Sequence, residues 1–298
     1  MSTTILVLGA GTGGIITARE LCKKVCNDGE INPVRIIVFE KEKKNVFAPS
    51  LLWLMVGKRK PEQVYRNTSK VAGNGVEVVL GEIEKVNPQE KIVTVNGKEY
   101  KGDYMVISLG VEQVTEHDLD KYGYDFYTLN GATGINEQLK NFKGGRIAVL
   151  ISSLPFKCPA APYEAAMLIE SFIRKKGLSN KTMPVAGKDL GNAVTTMLRE
   201  KGINYFPQHQ LTVAAENTLT FISTGGSNVA EFDLLAYTPK HQCPKVIKET
   251  ALIGKSGWIE VDRNTMETNF QDVYAIGDIT FISLEMGKPL PKAGVFTH

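Results

Sequence analysis

The glycine-rich segment Gly9-Ala10-Gly11-Thr12-Gly13-Gly14 constrains the fold of this chain more than any other feature of its sequence. It follows a continuous apolar run at residues 3–8, which is typical of a central parallel strand buried on both faces. A predicted helix runs from about Gly13 to about Val25, and a second apolar strand at residues 34–39 is followed by Glu40. This order of elements predicts a βαβ unit and therefore an α/β fold of the Rossmann type.

The glycines also predict what this unit binds, because Gly9, Gly11 and Gly14 fit the spacing G-x-G-x-x-G. One glycine allows the tight turn, one lets a diphosphate approach the backbone, and one lets the helix pack closely on the strand. Unpaired N–H groups and the helix dipole then favour the anion. The carboxylate of Glu40 can accept both ribose hydroxyls and repels a 2′-phosphate. The segment therefore predicts FAD or NAD rather than NADP. Its predicted site residues are Gly9, Gly11, Gly13, Gly14, Glu40 and Lys41.

Bulk properties narrow the class of protein. The 298 residues are enough for two domains, and a net charge of +3 without a long basic run indicates no nucleic-acid partner. The sequence shows neither the pattern of a signal peptide nor the run of about 20 apolar residues that a spanning helix needs. We therefore expect a cytoplasmic protein, with peripheral contact at the inner face of the membrane and homo-oligomerisation left open.

The hydrophobic pattern predicts a second α/β unit and then a return to the first. Two valine-rich strands, 76–80 and 91–95, flank a polar turn and predict a hairpin. Further strands are predicted at 103–109, 146–151, in short segments between 203 and 237, at 257–262 and at 272–276, and further helices at Tyr163–Lys175 and 186–200. We expect one domain to comprise residues 1–112 and 246–298, and a second Rossmann-like domain to comprise residues 113–245.

Two later motifs decide between the cofactors by resemblance. The segment Asp272–Asp278 resembles the second FAD motif of the two-dinucleotide-binding-domain flavoproteins, the superfamily of the disulfide reductases. The segment Tyr104–Gly110 is similar to another motif of that superfamily, although Ser108 and Leu109 depart from its usual Ala-Thr-Gly ending. The resemblance implies that FAD is the cofactor and that Gly110, Gly277 and Asp278 contact it.

The second domain lacks the glycine fingerprint that a nicotinamide would require. Its first strand is followed by Ile151-Ser152-Ser153-Leu154-Pro155-Phe156-Lys157-Cys158. Without glycines the backbone cannot close under a diphosphate, and Pro155 removes one N–H donor. We therefore expect an electron donor other than a pyridine nucleotide.

A different motif follows where the second glycine fingerprint would lie. It reads Cys158-Pro159-Ala160-Ala161-Pro162-Tyr163-Glu164 and resembles a segment of sulfide:quinone oxidoreductases and flavocytochrome c sulfide dehydrogenases. The resemblance implies that Cys158 is a redox thiol beside the flavin that carries persulfide chemistry, and that Glu164 is an acid or base beside it. The alternative is a buried cysteine and a glutamate that is favoured only by the helix dipole.

Two further stretches, Pro239–Lys248 and Pro291–Phe296, resemble loops of the same families. The second implies that Lys292 lies near the flavin and stabilises its reduced anion, the alternative being a solvated lysine. Members of these families continue further and carry a second redox cysteine and membrane-docking helices. We expect that C-terminal membrane-docking region to be absent from this sequence, which stops at His298.

The other cysteines and histidines have weaker signals. Cys22 and Cys26 lie one turn apart on the first predicted helix, where thiols usually pack as small apolar groups. We hypothesise that Cys243 replaces the second redox cysteine and approaches Cys158, and that His241 shuttles protons unless it is an idle, exposed residue. The histidines show no ligand spacing, so no metal site is predicted.

Three hypotheses of function follow from this sequence. The first is a flavoenzyme that oxidises sulfide at Cys158 and passes two electrons through FAD to a quinone. The second is an oxidoreductase similar to type II NADH dehydrogenases, and the third is a shortened flavin-binding subunit that serves in electron transfer or interaction without turnover.

Overall fold

The computed structural model describes residues 2–25, 33–178, 180–185 and 191–294. The predictions for Cys26, for residues 186–190 and for residues 295–298 lie outside these ranges. The chain divides into two compact units. The first comprises Met1–Asn45, Arg66–Glu112 and Gln242–His298, and the second comprises Val46–Tyr65 and Gln113–His241.

A parallel sheet of five strands forms the centre of the first unit. In spatial order its strands are Val273–Ala275, Tyr104–Ile107, Thr3–Leu8, Val34–Glu40 and Val76–Leu80. The helix Thr12–Val25 packs on one face through Ile15 and Ala18. The central strand is buried from Ile5 onward, as its continuous apolar run predicts. The predicted βαβ unit is thereby confirmed.

The predicted hairpin is wrong in one partner. Val76–Leu80 joins the parallel sheet, and Ile92–Val95 pairs instead with Ile83–Asn87 on the other side of the predicted turn. The strand Lys98–Lys101 completes this antiparallel sheet of three strands. Ile83–Asn87 reads Ile-Glu-Lys-Val-Asn, so its polar content hides a strand that is only half buried.

Short elements complete the first unit. Its short helices are Thr68–Ala72, Lys245–Lys248 and the 3₁₀ turn Gly277–Ile279, and its paired short strands are Ile259–Glu260 and Thr280–Phe281. Three more short strands, Lys44–Val46, Tyr65–Asn67 and Glu112–Val114, lie where the chain passes from one unit to the other.

The second unit is also a parallel α/β structure. Its four-stranded sheet has the order Tyr124–Asp125, Leu234–Thr238, Gly145–Ile151 and Asn180–Val185. Its helices are Leu51–Met55, Leu119–Tyr122, Leu129–Asn141, Ala161–Lys175 and Gly191–Glu200, with 3₁₀ turns at Ala48–Ser50 and Pro61–Gln63. An antiparallel sheet of Gln210–Ala215, Thr218–Ser223 and Gly226–Glu231 adjoins them, and the short strand Lys240–Gln242 follows.

Residues 46–65 do not lie in the first domain, where the sequence placed them. The helix Leu51–Met55 packs against the helix Leu129–Asn141, and its leucines join the core of the second unit. Tertiary packing of apolar side chains therefore overrides the position of this segment in the chain. Among the described residues, no helix is both long enough and apolar enough to cross a bilayer.

Candidate functional site

The predicted cofactor residues of the first unit lie at the carboxyl ends of four adjacent strands. Gly9 follows Thr3–Leu8, and Glu40 ends its neighbour Val34–Glu40. On the other side, Gly110 follows Tyr104–Ile107, and the pair Gly277-Asp278 follows Val273–Ala275. In open α/β sheets, ligands bind along this edge. The fold therefore brings residues that are up to 269 positions apart in the sequence to one edge of one sheet.

The glycine-rich turn of residues 9–14, the glycine corner, has the close packing of helix against strand that the G-x-G-x-x-G pattern requires. A Cβ on Gly14 would lie 2.0 Å from the backbone oxygen of Gly9, so only glycine lets the helix approach the strand. A Cβ on Gly11 would meet nothing closer than the Ser108 oxygen at 4.0 Å. The space above Gly11 is therefore open on the side where a diphosphate would meet the backbone. This geometry fits a dinucleotide.

Glu40 clamps the same corner. One carboxylate oxygen accepts the Ala10 N–H at 2.9 Å and the other accepts the Glu42 N–H at 3.1 Å. Asn45 donates its side-chain amide to the Ala10 carbonyl oxygen. Asn45 lies in no sequence motif, and only this contact across 35 residues connects it to the turn. Lys41 is exposed beside this corner.

A mainly apolar cavity of about 400 Å³ lies in the first unit beside Gly277, Asp278 and Lys292. The helix Thr12–Val25 and the segment of residues 276–293 line it. The Lys292 ammonium donates to the carbonyl oxygens of Asp278 at 2.7 Å and Thr280 at 3.0 Å. It also lies 3.6 Å from the centre of the Trp258 ring.

Lys292 is therefore not the solvated lysine that the sequence left open as an alternative. Burial lowers the pKa of Lys292 to about 8, and the negative charge of Asp278 opposes this shift because it favours the charged ammonium.

In the second unit, Cys158 lies on the loop between the strand Gly145–Ile151 and the helix Ala161–Lys175. Cys158 is exposed, which rules out the alternative of a buried structural cysteine. Its φ of +55° lies in the left-handed region, and its carbonyl oxygen accepts the Ala161 N–H at 2.9 Å. Glu164 is exposed in the first turn of the helix. An accessible thiol thus occupies the loop where a nicotinamide-binding domain would carry glycines.

Cys243 has a different environment. It is 1% exposed and packs in the core of the first unit with Ile247 and Leu252. Burial raises the pKa of its thiol to about 11. A protonated, buried thiol is a poor nucleophile, so this environment favours packing over the predicted redox role. The pairing of Cys243 with Cys158 stays a prediction.

His241 is neither exposed nor in an open loop, since only 2% of its surface is accessible. Its Nδ1 contacts the Pro239 carbonyl oxygen at 2.9 Å, and its ring packs edge to face on Tyr127 at 5.0 Å. Tyr127 lies in no sequence motif, and its hydroxyl donates to the Lys157 carbonyl oxygen at 2.8 Å. No local signal predicts a bond between residues 30 positions apart.

Comparison with known proteins places this architecture in a family. The family model described as pyridine nucleotide-disulphide oxidoreductase matches residues 3–151 and 167–293. The chain belongs to this family. With the glycine corner and the aligned strand ends, membership identifies FAD as its cofactor, as the sequence motifs implied. The two matched ranges leave out the loop that carries Cys158.

Individual relatives confirm the resemblance seen in the sequence. The chain is 26% identical over 302 residues to mitochondrial sulfide:quinone oxidoreductase of Mus musculus, covering 93% of this chain and 65% of the relative. It is 22% identical over 313 residues to a type II NADH:quinone oxidoreductase of Staphylococcus haemolyticus, covering 96% and 77%. It thus spans just under two thirds of the mouse relative.

Among solved structures, the sulfide:quinone oxidoreductase of Aquifex aeolicus superposes with a TM-score of 0.81 at 19% identity. The match covers 95% of this chain and 70% of that one. An NAD-dependent persulfide reductase from A. fulgidus superposes with a TM-score of 0.76 at 18% identity, covering 99% and 57%. The fold with two Rossmann-like domains is thereby confirmed.

Proposed function

We propose that this chain is an FAD-dependent oxidoreductase that oxidises sulfide at Cys158 and passes two electrons through FAD to a quinone. The observation that carries the proposal is the exposed Cys158 on the loop that replaces a glycine fingerprint. The relatives named sulfide:quinone oxidoreductase support the choice of donor and acceptor.

The proposed reaction joins sulfide to the Cys158 thiol and removes two electrons and a proton. A sulfur–sulfur bond forms between the Cys158 thiolate and sulfide, one S–H bond breaks, and its proton leaves. Bound FAD would supply the two-electron acceptor that this bond formation requires, and a quinone that takes up two protons would be the final acceptor. Glu164 is the proposed acceptor of the released proton, because it is the exposed carboxylate of the helix that follows Cys158.

The remaining predicted site residues have supporting roles in this proposal. Gly9, Gly11, Gly13, Gly14, Glu40 and Lys41 are proposed to bind the nucleotide half of FAD, and Gly110, Gly277, Asp278 and Lys292 its flavin half. A peripheral position at the inner face of a membrane, where quinones dissolve, fits the proposal and can be tested by co-sedimentation with liposomes. Self-association can be tested by analytical ultracentrifugation.

Anaerobic addition of sulfide to the FAD-loaded chain tests the proposal. We expect the flavin absorbance to bleach in the wild type but not in Cys158→Ser. Dithionite should bleach both, because it does not need the thiol. Cys22→Ser is the matched control, since Cys22 lies on the first helix and packs against its own sheet. A wild type that dithionite bleaches and sulfide does not would contradict sulfide as the donor.

The second candidate, a type II NADH dehydrogenase, is favoured by the relatives from Staphylococcus that are named type II NADH:quinone oxidoreductase. Stopped-flow mixing with NADH separates the two. Rapid flavin reduction by NADH in both the wild type and Cys158→Ser would support the second candidate, and slow reduction would support the first.

A further inference from the structure

The loop that presents Cys158 has an unfavourable backbone conformation. A non-glycine residue at φ +55° crowds its Cβ against the backbone, so it persists only where the surrounding structure holds it. On the C-terminal side, Cys158 is held by the Ala161 N–H, which donates to its carbonyl oxygen. On the N-terminal side, a second restraint comes from another segment of the second unit.

That restraint is the Tyr127 hydroxyl, which donates to the carbonyl oxygen of Lys157 at 2.8 Å. This carbonyl belongs to the peptide bond between Lys157 and Cys158. The hydrogen bond therefore fixes the plane of that peptide bond, and with it the φ angle of Cys158. The Lys157 ammonium also lies 6.0 Å from the centre of the Tyr127 ring. These two contacts join Tyr127 to the residue that precedes the thiol.

Tyr127 is itself rigidly held. The Asp125 carboxylate accepts the backbone N–H groups of Tyr127 at 2.8 Å and Thr128 at 2.7 Å. Tyr127 is 8% exposed, and its ring packs edge to face against buried His241. Since His241 is anchored in turn on the Pro239 carbonyl, the hydroxyl has little freedom to leave Lys157.

We propose that Tyr127 is a positioning residue that holds the Cys158 loop in its reactive conformation, with His241 supporting its ring. The inference rests on the proposed function, because it takes Cys158 as the reacting thiol. Tyr127 acts through the Lys157 carbonyl and need not touch sulfide or flavin. A reacting atom displaced by about 1 Å reacts far more slowly, which is why such a tether matters.

Tyr127→Phe tests the tether, because it removes the hydroxyl and leaves the ring packing on His241 intact. Tyr237→Phe is the matched control. Tyr237 is a buried tyrosine of the same unit, 3% exposed, but it belongs to the hydrophobic cluster on the other face of the sheet. Both variants are compared with the wild type as FAD-loaded full chains.

The first measurement is limited digestion with trypsin, which cleaves after lysine and therefore at the tethered bond Lys157–Cys158. Loss of one net hydrogen bond shifts the balance between held and released loop about fivefold. Cleavage tracks the released population, so the rate at this bond should rise about fivefold in Tyr127→Phe, with other tryptic sites unchanged. Unchanged cleavage at Lys157 would overturn the tether.

The second measurement is the rate of flavin reduction at increasing sulfide. The hydroxyl also fixes the thiol within the held loop, where a displacement of about 1 Å can cost up to about a hundredfold in rate. We therefore expect the limiting rate to fall at least about twofold in Tyr127→Phe, with an unchanged half-saturating sulfide concentration and unchanged reduction by dithionite. Tyr237→Phe should match the wild type. Faster cleavage with an unchanged limiting rate would overturn the positioning role. If the wild type itself does not react with sulfide, the proposed function fails, and digestion still decides whether Tyr127 holds the loop.

Discussion

Two alanine substitutions in the glycine corner should change different properties, FAD affinity in one case and folding stability in the other, because the two positions have different neighbours. At Gly11 a Cβ would lie 4.0 Å from the nearest atom, so Gly11→Ala is accommodated in the protein without FAD. At Gly14 a Cβ would lie 2.0 Å from the Gly9 carbonyl oxygen, so Gly14→Ala forces the first helix away from its strand. One substitution should therefore affect binding and the other stability.

The magnitudes follow from these contacts. Hydrogen bonds to a charged group contribute roughly 1.5–3 kcal/mol, so a methyl group that displaces the diphosphate should cost about 2 kcal/mol, or about thirtyfold in FAD affinity. The free energy of unfolding of FAD-free Gly11→Ala should be unchanged or up to about 1 kcal/mol higher, because alanine restricts the unfolded chain. Gly14→Ala must relieve more than 1 Å of overlap and should be destabilised by about 3 kcal/mol.

Urea unfolding of the FAD-free proteins and quenching of flavin fluorescence on binding measure the two quantities separately. If Gly11→Ala binds FAD as tightly as the wild type, the diphosphate does not lie against this corner and the cofactor site is wrongly placed. If Gly14→Ala unfolds at the wild-type urea concentration, the close approach of helix and strand is not required.

Two further predictions concern buried titratable groups of the first unit. Because burial raises the pKa of Cys243 to about 11 from an ordinary value of 9.0, the unfolded state loses this proton first. The wild type should therefore lose about 1–2 kcal/mol of stability relative to Cys243→Ala as the pH rises from 9 to 11. If the free energy of unfolding in urea has the same pH dependence in both proteins, the thiol is not buried. Lys292, whose pKa is about 8, should lose its proton from the face of Trp258 between pH 7 and 9. Tryptophan emission should change over that range in the wild type and not in Lys292→Met, and an identical titration in both would place the ammonium elsewhere.

Local sequence patterns predicted the structure correctly wherever a feature is set by residues that are close together in the chain. The buried strand Thr3–Leu8, the glycine corner and the helix that follows are set by residues within one βαβ unit, and all were predicted within two residues. The motif ending in Gly277-Asp278 and the exposed Cys158 loop were located by resemblance, since each is a continuous segment. The absence of glycines from that loop likewise follows from the sequence alone.

What the sequence could not decide depends on contacts between distant segments. Four features are of this kind: the strand that pairs with Ile92–Val95, the unit that contains residues 46–65, the burial of Cys243 and His241, and the hydrogen bond from Tyr127 to Lys157. Nothing near Cys243 distinguishes a packed thiol from a reactive one, because its pKa is set by apolar groups that only folding brings around it. The sequence by itself therefore determined the cofactor corner and the candidate thiol. Only the tertiary structure decided which side chains hold them, because burial and hydrogen bonding are properties of neighbours in space.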